Sequence, residues 1–388
     1  MSDAPQRSAI TQRFHTVQPA RSVRFGAGVV SEIGQVLDEL GRSRAFVFAT
    51  PSQQATVGRV GDLLGPQVVG ASSTLRARVP ADLAAAAAEQ AQAANADAVI
   101  ALGGGSAIGI AKAVAAATGL PIIAVPTTYS GSEMTPIYGV TRAGVKTPHH
   151  DLRVAPRAVL YDPELTVSLS PALTATSGMN ALAQAVGSLY AADADPVSTL
   201  VAGDGIQRMV SSLPRCFAEP HDLHARSEAL LGAHLCGWAL AMAGLSAHHA
   251  LTYALGDHTG LAQASIHAVL LPQTTHWAAA RRDDVAAVLC RVLSTDDPAG
   301  RIYDVPAGVD LPRGLGGLGL TRAAFEKARA AILRDPPAPW RSARDDNALE
   351  DLLNRTYDGL RPPAPADRAC ATANQPHGDD KGAIRHDT

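Results

Sequence analysis

Apolar runs and amphipathic stretches alternate along the first half of the chain, from about residue 22 to residue 165. The apolar runs, which are typical of buried strands, occupy residues 45–49, 98–105 and 121–125. Helix-forming stretches lie around them, at residues 30–40, 81–94 and 109–119, and the last is closed by a glycine at position 119. Strands that alternate with helices predict a parallel α/β sheet for this half.

The second half has a different pattern, with helical periodicity and few β-branched runs. Predicted helices occupy residues 174–190, 196–213, 225–243 and 247–255, and several more lie between 264 and 359. We therefore expect an N-terminal extension (1–19), an α/β dinucleotide-binding domain (20–165), an all-helical substrate domain (166–362) and a tail (363–388). The tail lacks periodicity and its composition predicts disorder.

Composition narrows the class of protein. The 388 residues carry a net charge of −3, which gives no basic surface for nucleic acid, and 46% of them are hydrophobic, which excludes a wholly disordered chain. No apolar run approaches the roughly 20 residues that a membrane span needs. The N-terminal residues lack the apolar core of a signal peptide. We expect a soluble cytoplasmic protein that binds a small molecule, without a nucleic-acid or membrane partner.

A glycine turn follows the strand that starts at Ala98. It contains Gly103, Gly104, Gly105 and Ser106, and a helix follows. Glycines let the backbone approach a phosphate closely, and the helix N-terminus supplies free N–H groups and a favourable dipole. Ser106 is expected either to cap the helix or to donate to a phosphate oxygen. The alternative is a tight turn between strand and helix that binds nothing.

A loop rich in hydroxyl groups follows the next strand. It spans residues 126–141, and its hydroxyls belong to Thr127, Thr128, Tyr129, Ser130 and Ser132. Open α/β sheets bind ligands at the carboxyl ends of their strands, so two polar loops at successive strand ends favour a ligand site over simple turn chemistry.

Several segments together resemble the group III, iron-type alcohol dehydrogenase superfamily. They are FGAG (25–28), ALGGGSAIGIAKA (101–113), VPTTYSGSEMTPIYGVT (125–141) and RVAPRAVLYDPELT (153–166). Within the superfamily, TATSGMNALAQAV (174–186) and HHALTYALG (248–256) resemble the maleylacetate reductases. Gly109, where most iron-type dehydrogenases have aspartate, and Asn180 are also similar to that branch.

The resemblance implies a dinucleotide-binding α/β domain, a helical domain, NAD(P)H in the cleft between them, and a homodimer. It implies that Gly103, Gly104, Gly105 and Ser106 take the pyrophosphate. The nicotinamide and its ribose would contact the polar loop and a nearby lysine, namely Thr127, Thr128, Ser130, Gly131, Ser132 and Lys146. Thr50 and Pro51 stand where NAD-selective relatives have an aspartate, so no carboxylate would repel a 2′-phosphate and we expect use of both NADH and NADPH.

The same resemblance draws attention to a metal site. The superfamily binds a divalent ion through Asp and His four residues apart on one helix and through two further His. The matching positions here are Asn180, Gln184, His249 and Gln263, of which only the histidine is a superfamily ligand. Amide carbonyls are poor ligands for iron or zinc, so we expect no catalytic metal.

Reduction of maleylacetate to 3-oxoadipate does not require an ion in principle. Hydride adds to the activated C=C, and the enolate that forms needs hydrogen-bond donors before it is protonated. The candidate catalytic residues are His248, His249, Lys146 and Tyr253, with Arg153 as a weaker candidate for binding a substrate carboxylate. Tyr253 stands where the family usually has a histidine, one turn beyond His249.

Two other functions remain open at this point. One is an NAD(P)-dependent dehydrogenase for a different alcohol or ketone, for example in a biosynthetic pathway. The other is an inactive homologue that still binds nucleotide. Further histidines favour ordinary structural roles: His149 and His150 as exposed loop residues beyond Lys146, and His267 as a packed histidine.

Overall fold

The computed structural model describes residues 21–76, 78–341 and 346–364. The strands of this part of the chain are β1 (Ser22–Phe25), β2 (Ala45–Ala49), β3 (Val68–Ser72), β4 (Ala98–Gly103), β5 (Ile122–Pro126), β6 (Ile137–Arg142), β7 (Val145–His150) and β8 (Ala158–Tyr161). The helices of the first half are α1 (Ile33–Glu39), α2 (Gln54–Leu64), α3 (Ala81–Ala93) and α4 (Gly105–Thr118). Those of the second half are α5 (Pro171–Ser188), α6 (Pro196–Ala218), α7 (Leu223–Ala243), α8 (Ala247–Thr259), α9 (Gln263–Ala279), α10 (Asp283–Leu293), α11 (Pro298–Asp304), α12 (Arg322–Arg334), α13 (Ala338–Arg341) and α14 (Asp346–Asp358).

Six of these strands form a parallel sheet in the order β1-β8-β5-β4-β2-β3. The central strands β2, β4 and β5 are buried along their whole length. Continuous burial is typical of a parallel sheet that is covered by helices on both faces. The predicted α/β half and helical half are both confirmed.

The order of the strands reverses between β2 and β4, and this places a crevice at their carboxyl ends. Thr50 follows β2, and its backbone N–H donates to the carbonyl of Leu102 on β4 at 3.2 Å. A Cβ atom on Gly103 would lie 2.7 Å from Oγ1 of Thr50. The glycine turn therefore lies at the position in the sheet where such folds bind ligands.

Helix α4 differs slightly from the prediction. It begins at Gly105, with Gly104 as its N-cap, so Ser106 lies inside the first turn and is not the capping residue. The helix ends at Gly119, whose left-handed conformation (φ 76°) closes the last turn as predicted.

Lys146 and the two histidines predicted to lie in a loop beyond it belong instead to a two-stranded hairpin. Strands β6 and β7 pair antiparallel, and Thr141 lies opposite Lys146. Ala143 and Gly144, which join the strands, both have positive φ (48° and 83°), as a two-residue hairpin turn requires. The residues are mostly polar or exposed, so their alternation is too weak to mark strands in the sequence. The structure confirms that His149 and His150 are exposed.

The helices of the second half begin at recognisable caps. The side chains of Ser170, Asp195 and Asp222 accept backbone N–H bonds at the starts of α5, α6 and α7. Among the described residues no single helix is long and apolar enough to cross a bilayer. Helices α7 and α8 meet that test only as a pair, which is bent by 98°.

The division of the chain at residue 165 stays a prediction, although the elements change from strands to helices between Tyr161 and Pro171. The predicted N-terminal extension (1–19) lies outside the described residues. The same is true of the predicted tail beyond residue 364.

Candidate active site

A cavity of about 390 Å³ lies between the carboxyl end of the sheet, the β6–β7 hairpin and helices α5, α8 and α9. This volume fits a small molecule. Both polar loops predicted from the sequence reach it, as does Lys146. The four positions that match the family's metal ligands also line it, namely Asn180, Gln184, His249 and Gln263.

The start of α4 forms one wall of the cavity, where Gly105 and Ser106 line it. The first turn closes with Ala107, whose N–H donates to the carbonyl of Gly104 at 3.0 Å, so the preceding N–H groups are free of helical bonds. A Cβ atom on Gly104 would lie 2.8 Å from Cγ2 of Thr128. This arrangement of backbone donors at a helix N-terminus suits a phosphate group.

The loop rich in hydroxyl groups (residues 126–141), here called the hydroxyl loop, contains residues that line the cavity and residues that determine its backbone path. Thr128, Ser130 and Ser132 line it. Thr127 is buried, and its N–H donates to the carbonyl of Gly103 at 3.1 Å. Gly131 has φ 68°, and a Cβ atom there would lie 2.7 Å from Oε1 of Gln184. Gly103, Gly104, Thr127 and Gly131 are therefore positioned to determine the backbone path, while their side-chain positions do not face the cavity.

Lys112 fixes the far end of this loop, a role that the sequence analysis missed. Its ammonium donates to the carbonyls of Ser132 (2.6 Å) and Ile137 (2.9 Å) and to Oγ1 of Thr135 (3.0 Å). Burial lowers the pKa of Lys112 to about 7, although the nearby carboxylate of Glu133 acts in the opposite direction. The available signal was a rare lysine in the middle of an apolar helix.

Lys146 reaches into the cavity from β7. Its Nζ lies 2.6 Å from Oε1 of Gln263 and 5.9 Å from the centre of the Tyr253 ring. Burial, with a further contribution from the Arg78 charge, lowers the pKa of Lys146 to about 8, and Asp257 opposes this shift. Among the described residues, the only hydrogen-bond acceptor of this ammonium is the amide oxygen of Gln263, which is neutral.

Arg78 is a second cation at the same end of the cavity, and no motif in the sequence pointed to it. Its guanidinium pairs with Asp257 and donates to the carbonyl of Gly144 at 3.1 Å, which ties the chain before α3 to the hairpin and to α8. By contrast, Arg153 is not in the cavity: its side chain is 78% exposed and pairs with Asp151 at 2.7 Å.

The amides of α5 are used to hold the hydroxyl loop. Nδ2 of Asn180 and Nε2 of Gln184 both donate to the carbonyl of Ser130, at 3.3 and 2.6 Å. Four-residue spacing places both side chains on one face of the helix. Each amide therefore turns its nitrogen, which cannot bind a cation, towards the carbonyl of Ser130.

These residues do not fit a transition-metal ion. Three of the four side chains at the ligand positions are neutral amides, and the fourth position, His249, offers one nitrogen. Within the ranges that the structure describes, no three His, Cys, Asp or Glu side chains converge in a way that would hold a metal. In addition, the ammonium of Lys146 already contacts Oε1 of Gln263. A divalent ion beside Gln263 would meet the positive charge of this ammonium.

The predicted histidine pair separates into two different environments. His249 lines the cavity, and burial lowers its pKa to about 4, so the ring is neutral near pH 7. His248 is fully buried and does not line the cavity. Its Nε2 lies 2.8 Å from Nδ1 of His267, which does line the cavity although the sequence favoured an ordinary packed role.

Tyr253 lines the cavity beside Lys146. Burial raises the pKa of its phenol to about 12. The hydroxyl therefore keeps its proton at neutral pH and can donate a hydrogen bond.

Comparison with known proteins identifies the family of this chain. The sequence model of the family described as iron-containing alcohol dehydrogenase matches residues 20–163, and the model of the family's C-terminal part matches residues 174–346. A maleylacetate reductase from Burkholderia cepacia is 42% identical over 341 residues, which are 88% of this chain and 96% of that protein.

Solved structures give the same result. The maleylacetate reductase of Agrobacterium tumefaciens superposes with a TM-score of 0.83 at 35% identity, covering 90% of this chain and 100% of that one. The maleylacetate reductase of Rhizobium sp. strain MTP-10005 gives a TM-score of 0.82 at 36% identity, with the same coverage. The chain therefore belongs to the iron-containing alcohol dehydrogenase family, in the branch that contains the maleylacetate reductases, and it is an oxidoreductase.

Proposed function

We propose that this oxidoreductase reduces maleylacetate, or a closely similar conjugated oxo-dicarboxylate, with NADH or NADPH and without a catalytic metal. The observation that carries the proposal is the contact between Lys146 and Gln263. At a position where the family places a metal ligand, this chain has a neutral amide that accepts a hydrogen bond from a side-chain ammonium. The Lys146 ammonium thus supplies a positive charge beside Gln263 without a metal ion.

Support for the nucleotide comes from the start of α4 and the hydroxyl loop. The free N–H groups at Gly105 and Ser106 suit a pyrophosphate, and Thr128, Ser130 and Ser132 supply hydroxyls for the ribose and nicotinamide. Thr50 follows β2, at the position where relatives that select NAD have an aspartate. Because a threonine does not repel a phosphate, we propose that both NADH and NADPH are accepted.

Support for a dicarboxylate comes from the charges at the opposite end of the cavity. Lys146 and Arg78 contribute two positive charges there, and Asp257 is the carboxylate that opposes them. A buried ammonium whose acceptor is neutral is stabilised by an anion. We propose that a substrate carboxylate binds beside Lys146.

The chemistry needs donors for the developing enolate oxygen. A bound NADH or NADPH would supply the hydride to the alkene carbon β to the ketone, and the C=C electron pair would then form the enolate. Nε2 of His249 and the hydroxyl of Tyr253 are neutral donors that line the same cavity. Two such donors stabilise the enolate oxygen without a Lewis acid. Protonation of the α carbon then completes the reduction to 3-oxoadipate.

The test is oxidation of NADH and of NADPH, followed by absorbance, with maleylacetate and protein treated with excess chelator. Turnover that resists the chelator supports the proposal, and turnover restored only by iron or zinc contradicts its metal-independent part. If nucleotide binds but maleylacetate is not reduced, the protein acts on another ketone or alcohol. If no nucleotide binds, the proposed nucleotide site and the proposed reaction are both wrong. Three further points stay predictions: that the protein forms a homodimer, that it is cytoplasmic, and that one domain binds the dinucleotide while the other binds the substrate.

A further inference from the structure

We infer that His267 is a further catalytic residue, which transfers the proton at the substrate carbon, and that His248 and Thr274 are its positioning residues. The inference rests on the proposed function, because it supplies the proton that the enolate needs. It is carried by a chain of hydrogen bonds that starts in the interior of the helical half and ends at the cavity.

His267 is placed to meet the substrate. It lies on α9, one turn beyond Gln263, so the two side chains share a face of the helix. The ring lines the cavity and is 7% exposed. Its Nδ1 is bonded to His248, whereas its Nε2 has no hydrogen-bond partner among the described residues.

We assign the ring protons from these hydrogen bonds, taking a helical carbonyl as the acceptor of the Thr274 hydroxyl hydrogen. Thr274 has one hydroxyl hydrogen, and it donates to the carbonyl of Leu271 at 3.1 Å, one turn back on the same helix. Oγ1 of Thr274 therefore accepts the bond from Nδ1 of His248, at 2.8 Å. Nε2 of the neutral His248 then bears a lone pair, and Nδ1–H of His267 donates to it at 2.8 Å. The lone pair of His267 consequently lies on Nε2, towards the cavity.

His249 has the opposite tautomer. The backbone N–H of Ser246 donates to its Nδ1 at 3.3 Å, so the ring proton lies on Nε2. The ring centres of His249 and His267 are 5.6 Å apart, nearly edge to face. One imidazole thus presents a hydrogen-bond donor and its neighbour an acceptor, which are the two functions that an enolate oxygen and the adjacent carbon require.

In the proposed step, His267 gives a proton to the α carbon of the enolate. The resting ring is neutral because burial, together with His249 and the charge of Lys146, lowers the pKa of His267, so its Nε2 lone pair first takes up a proton from solvent. After hydride has added to the β carbon, this Nε2–H bond breaks and a C–H bond forms at the α carbon. The enolate electron pair makes that bond, the ketone re-forms, and His267 returns to the neutral ring with its lone pair on Nε2. In the reverse direction the same lone pair removes the α proton.

His267→Asn tests the role because the asparagine amide keeps an N–H donor near His248 but cannot carry the transferred proton. We expect kcat to fall by about 100-fold or more with little change in KM. In D2O the wild-type protein should place deuterium on one face of the α carbon, and the variant should lose that selectivity. His258→Asn, at an exposed position on α8, is the matched control. Unchanged kcat and unchanged selectivity in His267→Asn overturn the inference.

A second measurement does not depend on turnover. In protein labelled with 15N-histidine, His267 should show a protonated Nδ1 and a bare Nε2, and Thr274→Val should mix the two tautomers while Thr274→Ser preserves the wild-type pattern. The opposite tautomer in the wild-type protein overturns the inference. Wild-type protein that reduces no dicarboxylate contradicts the proposed function and this role with it, whereas an active wild type and an equally active His267→Asn contradict this inference alone.

Discussion

Nζ of Lys146 lies 2.6 Å from Oε1 of Gln263, so a side-chain ammonium contacts the residue that stands at one of the family's metal-ligand positions. The lysine comes from a hairpin of the sheet half and the glutamine from the first turn of α9. A neutral amide at position 263 and an ammonium beside it both disfavour the binding of a metal cation. The cavity keeps a positive charge, while the side chains at positions 180, 184 and 263 are neutral amides.

The first prediction concerns the charge itself. Lys146→Met removes the ammonium but keeps an unbranched side chain of similar length, so the carboxylate of the substrate loses its cation. We expect kcat/KM for the dicarboxylate to fall at least tenfold, about 1.4 kcal/mol of binding free energy. Lys327→Met, at an exposed position on α12, is the control. Steady-state kinetics of both variants measure the effect, and equal values would remove Lys146 from substrate binding.

The second prediction concerns zinc binding by the wild-type protein and by a variant with restored metal ligands. Because amides replace the ligands, wild-type protein should show no zinc binding in a calorimetric titration. The combined variant Asn180→Asp, Gln184→His, Gln263→His and Lys146→Met supplies an anionic oxygen and imidazoles around His249 and removes the competing charge. We expect it to bind zinc and to gain thermal stability from it. Tight zinc binding by the wild-type protein would contradict our reading of the donor set.

The third prediction concerns the glycine turn. A Cβ atom on Gly104 would lie 2.8 Å from Cγ2 of Thr128, so Gly104→Ala must displace the Thr128 side chain, the loop that carries it or the start of α4. We expect the affinity for NADH to fall at least tenfold, about 1.4 kcal/mol, when measured by nucleotide fluorescence. Gly58→Ala is a suitable control because the new methyl group would have no neighbour within 4 Å on α2. Unchanged affinity in Gly104→Ala would separate this turn from nucleotide binding.

The fourth prediction tests the phenol. Tyr253 is neutral and lies beside Lys146, so Tyr253→Phe removes a hydrogen-bond donor from the cavity and keeps the ring. We expect kcat to fall by about 10- to 100-fold without a comparable rise in KM, because the bond strengthens as charge develops on the enolate oxygen. Identical kinetics in the variant would leave His249 as the donor.

Much of the fold follows from local pattern. The run from Ala45 to Ala49 is apolar at every position and is buried at every position, and Gly119 ends α4 in the conformation that glycine favours. The hairpin around Lys146 was not predicted because a small, largely exposed two-stranded sheet needs neither apolar alternation nor β-branched residues.

The candidate site was predictable where residues are close in sequence and much less so where they are distant. The pairing of Arg78 with Asp257 joins positions 179 residues apart, and no local pattern reports it. His248 and His249 are neighbours in the chain, but successive helical residues point about 100° apart, so one faces the interior and the other the cavity. Adjacency suggested a functional pair, whereas the contact that matters links His248 to His267.

The last prediction concerns acid stability. His234 on α7 packs edge to face on Tyr161, with ring centres 5.3 Å apart, and burial lowers the pKa of its imidazole to about 4, assisted by the charge of Arg21. The folded-state pKa is thus below the ordinary value near 6.5, so between these two pH values the unfolded chain binds a proton that the folded protein does not. Stability therefore rises with pH in this window and falls as the pH drops from about 6.5 towards 4. His248, His249 and His267 act in the same direction because burial lowers the pKa of each.

His234→Phe keeps an aromatic ring against Tyr161 and removes one titrating group from this set. A shift of this size corresponds to at most about 3 kcal/mol once the pH is below both values, and solvent access to the partly buried ring reduces it. Urea unfolding at pH 7.5 and pH 5 should show a smaller loss of stability for His234→Phe than for the wild-type protein. His224→Gln, at an exposed position, should lose as much stability as the wild type. If His234→Phe is destabilised by acid to the same extent as both, the imidazole on α7 is not a source of the acid sensitivity, and the other three buried rings must account for it.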